Sequence, residues 1–138
     1  MPSETYVLDS YAVMALLGGE EGCEDVAQLL REAEQESVRL LMTWVNAGEV
    51  AYIVERRWGR ERMYEALAAL EATAIEFVPV GRDLALRAAA IKAEHPVAYA
   101  DAHAAGLAAL ESATVLTGDP EFRQLEDVVT VRWIAGER

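Results

Sequence analysis

Cysteine occurs once in this 138-residue chain, as Cys23, so no disulfide can close within it and a cysteine-based zinc centre is not expected. Histidine is nearly as scarce. His95 and His103 are too few and too poorly spaced for a zinc site. No apolar run approaches the roughly 20 residues of a membrane helix, and the opening MPSETYVLDS lacks the basic-then-apolar order of a secretory signal. There is no low-complexity tract, internal repeat or Pro/Gly/Ser-rich linker at which to divide the chain. A single domain over residues 1–138, in the cytoplasm and without a membrane segment, is the expectation.

Positive charge is also short. Twelve basic residues, of which only Lys92 is lysine, face 24 acidic ones, for a net charge of −12. That argues against the broad basic surface by which many proteins hold nucleic acid regardless of sequence. It leaves room for an enzyme that meets nucleic acid through bound cations and a local arginine patch. The remaining composition, 53% hydrophobic and 26% charged, is that of a globular domain long enough to enclose a core.

Strand and helix patterns alternate along the chain. Thr5–Asp9 is a β-rich run ending in an acid, and Ser10 suits the N-cap of a helix that Gly18 and Gly19 would stop. Apolar residues at Val26, Leu29, Leu30 and Ala33 give residues 24–35 helical spacing. Val38–Thr43 reads as a second strand, and Trp44–Trp58 and Arg60–Ala72 as helices separated by Gly59. Ala74–Val80 is a third strand. Asp83–Glu94 and Tyr99–Glu111 are helices, and Thr114–Gly118 and Val128–Trp133 are the last two strands. Strands separated by helices imply an α/β fold with a parallel sheet covered on both faces. In such sheets ligands sit beyond the carboxyl ends of the strands, where strand order reverses. Asp9 and Asp119 both fall just past a strand end.

Each acid also has a plainer explanation. Asp9 precedes a helix it can cap, and Asp119 before Pro120 has the form of a helix start. Asp101, in the first turn of the alanine-rich helix, gains from the helix dipole. Glu49 is different. Val45, Tyr52 and Ile53 lie three or four residues from it, so it shares a face with residues expected to pack inward. A buried carboxylate needs an arginine or a cation to remain charged. Four such acids gathered at one sheet edge would repel one another unless divalent cations neutralised them. Oxygen ligands with few imidazoles suit magnesium or manganese. The hydroxyls of Ser10 and Thr117 and the amide of Asn46 are candidates to hold the acids in place.

YVLDSYAVMALL, TWVNAGEVAYIV, AYADAHAAGLA and TVLTGDPEF, in that order, resemble PIN-domain proteins, and specifically the VapC-type toxins of toxin–antitoxin pairs. The resemblance runs nearly end to end. It implies a three-layer α/β/α fold on a central five-stranded parallel sheet, and Mg2+- or Mn2+-dependent cleavage of RNA. It places Asp9, Glu49, Asp101 and Asp119 on the metal-binding acids, with Ser10 and Thr117 on neighbouring hydroxyl positions. It further implies a small antitoxin partner and a homodimer, for which the alanine-rich helix and the Trp44–Trp58 helix are candidate faces. The sequence departs from the pattern once. Glu121 stands where many relatives have a further aspartate, so it is taken as an auxiliary acid only.

Arg56, Arg57, Arg60 and Arg62 form the densest basic stretch, read either as cations complementing a helix C-terminus or as contacts to RNA phosphates. Glu20, Glu21, Glu24, Asp25, Glu32, Glu34 and Glu36 form an acidic section, either a solvated face or a contact for a basic antitoxin segment. His103, two residues after Asp101, is read as a helix-surface residue, with contact to the scissile phosphate as its sharper alternative. Two other functions remain beside the toxin ribonuclease: a PIN-domain nuclease of RNA processing, and a non-catalytic module that acts through a partner.

Overall fold

Tyr6, Val7 and Leu8 are all buried, as a strand covered on both faces requires. They belong to β1 (Glu4–Leu8), the centre of a five-stranded sheet in the order β3-β2-β1-β4-β5. The other strands are β2 (Val38–Thr43), β3 (Glu76–Val78), β4 (Thr114–Thr117) and β5 (Thr130–Trp133), and every pairing is parallel. The structure is a computed structural model describing residues 4–134. The first three residues of the segment read against a secretory signal, and the last four of the expected domain, lie outside the described residues.

Alternation along the strands divides the core in two. Tyr6, Leu8, Leu40, Met42 and Leu116 point to one face. There they meet α1 (Ser10–Gly18), α2 (Cys23–Glu34), α3 (Trp44–Trp58) and α4 (Arg60–Glu71), through Val13, Val26, Leu29, Val50, Val54 and Leu70. Val7, Leu41 and Val115 point to the other face, against α5 (Arg82–Glu94), α6 (Tyr99–Glu111) and a 3-10 helix at Pro120–Leu125. The result is the expected α/β/α arrangement.

Local departures from the sequence reading have identifiable causes. Asp9, not Ser10, is the N-cap of α1: its carboxylate accepts the Ala12 N–H at 2.9 Å, and Ser10 is the first helical residue. At the sheet edge β3 shrinks to three residues before Pro79, which has no N–H to give a ladder. Thr130, not Val128, opens β5, because the N–H groups of Val128 and Val129 both turn back to the Leu125 carbonyl at 2.9 Å. The alanine-rich α6 is not a free apolar face. Asp101 to Ala108 are all buried, and α5 approaches so closely that a Cβ on Gly106 would lie 3.3 Å from the Ala88 nitrogen. Of the two helices expected to offer a dimer face, α3 keeps large exposed side chains at Trp44, Tyr52 and Trp58, and α6 keeps them only near its ends, at Tyr99 and Leu110.

Gly22, ahead of α2, has φ +94°, and a Cβ there would lie 2.6 Å from Cδ1 of the fully buried Ile134. Backbone strain and overpacking act together at this position. Gly22→Ala is expected to lower stability by about 2–4 kcal/mol. At Gly19 (φ +61°), where a Cβ meets nothing within 4 Å, the same change should cost only the backbone part. Urea unfolding of the two variants checks the difference.

Candidate active site

Strand order reverses between β1 and β4, and both strands lead directly into an acid. Asp9 follows β1, and Asp119 lies two residues beyond the end of β4. From the adjacent layer α6 brings Asp101 to the same point through its first turn. One carboxylate oxygen from each of Asp9, Asp101 and Asp119 lies within 4.8 Å of the others. Asp9 is 1% exposed and Asp101 7% exposed, whereas Asp119 is half-buried.

Two plainer readings of these acids also hold. Asp9 caps α1, and Asp119 caps the 3-10 helix by accepting the Glu121 N–H at 3.0 Å. Capping explains why each backbone turns where it does. It leaves unexplained why three carboxylates, two of them buried, meet at one point. Asp9 is engaged on both oxygens, with the Ala12 N–H on Oδ1 and the Thr117 hydroxyl on Oδ2. Thr117 Oγ1 also accepts the Asp119 N–H at 2.9 Å, tying the two strand-end acids together.

Without a counter-charge Asp9 and Asp101 resist ionisation. Burial first, and then the charges of Asp119 and Glu49, raise Asp9 from 3.8 to about 7 against the opposing pull of Thr117 and the Ala12 N–H. Asp101 is pushed up to about 8, first by burial and then by the charges of Asp119, Asp9, Glu121 and Glu49. An oxygen-only trio with neither imidazole nor thiolate fits a hard divalent cation such as Mg2+ or Mn2+. Such an ion offsets both causes of the shift at once.

Glu49 differs from the sequence expectation. It is half-buried on the flank of α3, whose inward face is Asn46, Ala47, Val50 and Val54. Val45 and Ile53 beside it are also half-buried, and Tyr52 is exposed. A helix face is a continuum, so residues three and four positions away can stand at its border with solvent. Glu49 Oε1 accepts the Ser10 hydroxyl, and Glu49 lies outside the trio.

Asn46 is the tie between layers. Its Nδ2 donates to the Ala100 carbonyl at 3.1 Å, one residue before Asp101, and its Oδ1 accepts the Thr43 hydroxyl at 2.6 Å. Its own carbonyl lies 3.3 Å from Ser10 Oγ, whose single hydrogen is shared between that carbonyl and Glu49 Oε1. Thr43 was missed by the sequence reading. It is fully buried and N-caps α3, accepting the Asn46 N–H at 3.0 Å. A threonine at a strand-to-helix junction three residues before a polar residue was the available signal.

A cleft of about 390 Å³ opens over the acids, lined by Ser10, Glu49, Asp101, Asp119 and Glu121 and by Tyr11 and Arg57. Arg57 stands two helical turns beyond Glu49 on the same side of α3, and among the described residues it is in no ion pair. Its neighbours are differently engaged. The guanidinium of Arg56 lies 5.1 Å from the Tyr52 ring centroid, Arg60 reaches Glu55 at 3.3 Å, and Arg62 lies 3.9 Å from Glu65. Glu121 faces the cleft while accepting the Ala98 N–H at the start of α6, at 3.2 Å. His103 is not on the helix surface. It is 2% exposed, and its Nδ1 lies 2.8 Å from the Tyr99 carbonyl, so that nitrogen carries the hydrogen. His95 makes the same kind of contact to the Ile91 carbonyl at 2.9 Å. No helix among the described residues is long and apolar enough to cross a membrane.

Several solved structures share this fold. VapBC2 from Rickettsia felis, bound to a DNA fragment from its promoter, aligns with a TM-score of 0.75 at 14% identity, covering 94% of this chain and 98% of that one. DNA-bound VapBC from Salmonella typhimurium aligns at 0.72 and 18% identity, over 94% and 98% of the two chains. VapC20 of Mycobacterium tuberculosis, described as a toxin that cleaves the sarcin-ricin loop, aligns at 0.68 and 17% identity, over 86% and 92%. No curated protein sequence matches the chain. The sequence model of the PIN domain matches residues 6–128, spanning all three acids of the trio, and the chain belongs to the PIN-domain family.

Proposed function

We propose that this protein is a divalent-metal-dependent endoribonuclease, the toxin of a toxin–antitoxin pair. The observation that carries the reading is the convergence of Asp9, Asp101 and Asp119 at one point, two of them buried and with carboxyl groups pushed well above the usual range, where a cation would favour their charged forms. The fold shared with VapC20, described as a sarcin-ricin loop cleaving toxin, and with VapBC complexes supports the choice of RNA as substrate and of a small antitoxin as partner.

In this reading Asp9, Asp101 and Asp119 hold Mg2+ or Mn2+. When bound, such an ion polarises the phosphodiester and makes a nearby water more acidic. Thr117 and the Ala12 N–H keep Asp9 in one orientation, and Asn46 anchors the start of α6 so that Asp101 faces the same point. Glu49 completes the acidic set. Its Oε1 is occupied by Ser10, leaving Oε2 to accept the proton of the attacking water. Arg57, the basic residue lining the cleft, holds a phosphate of the bound strand, and Arg56, Arg60 and Arg62 extend that contact outside it. Glu121 stays an auxiliary acid that braces α6. A homodimer through the exposed side chains of α3 is part of the same proposal.

Incubating the purified protein with single-stranded RNA tests the reading. Cleavage with Mn2+ or Mg2+, loss of cleavage in EDTA, and 5′-phosphate and 3′-hydroxyl ends are expected, together with growth arrest on expression. Intact RNA with either ion would sink the nuclease reading. Cleavage without growth arrest would leave a nuclease that is not a toxin.

A further inference from the structure

Gly118 joins β4 to Asp119, and its backbone does not require glycine, since its φ lies outside the left-handed region. Space requires it. A Cβ on Gly118 would collide with Tyr11 Cε1, and would lie 3.0 Å from Tyr11 Cδ1 and 3.1 Å from Ile134 Cγ1. The ring of Tyr11 therefore rests on the backbone between Thr117 and Asp119, held by the segment that presents the acids. Yet 46% of Tyr11 is exposed, and it lines the acidic cleft. Among the described residues its hydroxyl has no hydrogen-bond partner. A seated, half-exposed aromatic side chain at the edge of a cluster of carboxylates does little for the core.

We propose that Tyr11 is the stacking platform of the site, receiving the nucleobase next to the phosphodiester that is cut. The inference rests on the ribonuclease reading and gives that site its substrate class: single-stranded RNA with an unstacked base beside the scissile bond. Arg57 and a bound cation hold phosphate, but the overall charge of the chain opposes RNA and leaves affinity to be found elsewhere. The chain carries −12, and acids outnumber Arg57 around the cleft. Proteins that recognise single-stranded RNA commonly stack its unpaired bases on aromatic side chains. Stacking needs no net positive charge and is tolerant of base identity. A ring that already rests against Gly118 has less freedom to lose when a base settles on it.

The test uses the full chain with Mn2+ and a short RNA cut at one position. Tyr11→Ala is expected to raise KM about tenfold with little change in kcat, and Tyr11→Phe, which keeps the ring, to behave as wild type. Removing one base, that of the nucleotide on one side of the cut, should raise the wild-type KM by a similar factor. The same abasic RNA should cost Tyr11→Ala nothing further, because the two losses are of one contact. Fluorescence anisotropy with the Asp9→Asn protein reads the same differences as binding, independently of turnover. Equal abasic penalties in wild type and Tyr11→Ala overturn the proposal. An unchanged KM in Tyr11→Ala, while Asp9→Asn loses cleavage, also overturns it; the nuclease reading then stands and the exposed ring is assigned to a protein contact. RNA that the wild type does not cut sinks both.

Discussion

Asp9→Asn is expected to reduce RNA cleavage by about a thousandfold or more without unfolding the protein. The charge stabilisation that a bound cation contributes is worth several kcal/mol, and about 4 kcal/mol corresponds to a thousandfold in rate. Asp9 supplies one of three oxygens within 4.8 Å and the most deeply buried of them. The structural consequences of the change are small. Asparagine is as good an N-cap as aspartate, so the Ala12 N–H keeps its acceptor. The new amide nitrogen meets the Thr117 hydroxyl, which can accept as well as donate. Losing one of several mutually repelling charges should even raise the stability of the metal-free protein.

That combination, a dead enzyme with a higher melting temperature in EDTA, separates a functional acid from a structural one. Asp101→Asn should behave in the same way. Glu49→Gln should lower activity while leaving the stabilisation by Mn2+ largely intact, since Glu49 stands outside the trio and its Ser10 contact survives as amide to hydroxyl. Rates on a fluorogenic RNA and melting curves with and without Mn2+ check all three. An Asp9→Asn protein that cuts within tenfold of wild type would remove Asp9 from the reaction.

The fold was legible because its signals are local. Continuous apolar runs at Tyr6–Leu8 and Leu40–Met42 mark strands covered on both sides, and Gly19 and Gly59 stop helices where their φ values of +61° and +97° need glycine. What sequence could not fix were choices made by tertiary contact. Whether Asp9 or Ser10 caps α1 depends on which side chain reaches the Ala12 N–H and which reaches Glu49 across the layer. Whether the alanines of α6 face a second copy or this chain depends on α5, whose approach at Ala88 and Gly106 no periodicity reveals.

The candidate site was legible as a set and less so in its ranking. From sequence, Glu49 was the acid whose burial looked most costly, while Asp9 and Asp101 had ready capping or dipole explanations. The structure reverses the order of burial. Capping and clustering are compatible, because the carboxyl end of a parallel strand is also where the next helix begins. Tyr11 and Gly118 carried no separate signal, since their relation joins residues 107 positions apart through space alone. Arg57 could not be told from Arg56, Arg60 and Arg62 until α3 placed it in line with Glu49.

In EDTA the protein should lose stability as pH rises from about 5 to 8, the reverse of ordinary acid denaturation. Asp9 and Asp101 have folded-state pKa values raised from 3.8 to about 7 and about 8. Between the ordinary carboxylate range and those values the folded state binds more protons than the unfolded one, so the slope of unfolding free energy with pH is negative. For Asp9, a rise of roughly three units corresponds to about 4 kcal/mol lost by pH 8. A domain of this size has a total stability on the order of 5–15 kcal/mol, so the loss is a large share of it. Asp9→Asn should flatten the slope. A cation should act in the opposite sense, because it binds deprotonated carboxylates and its affinity grows as they ionise. At a hundredfold excess over its Kd, Mn2+ should add about 2.7 kcal/mol, or roughly 10 °C in melting temperature for a chain of this length. That increment should be several-fold smaller at pH 5 than at pH 8. Melting curves at three pH values, in EDTA and in Mn2+, measure both slopes. A stability in EDTA that does not fall between pH 5 and 8, or a Mn2+ increment independent of pH, would mean that Asp9 and Asp101 do not share their charge in the way the geometry requires.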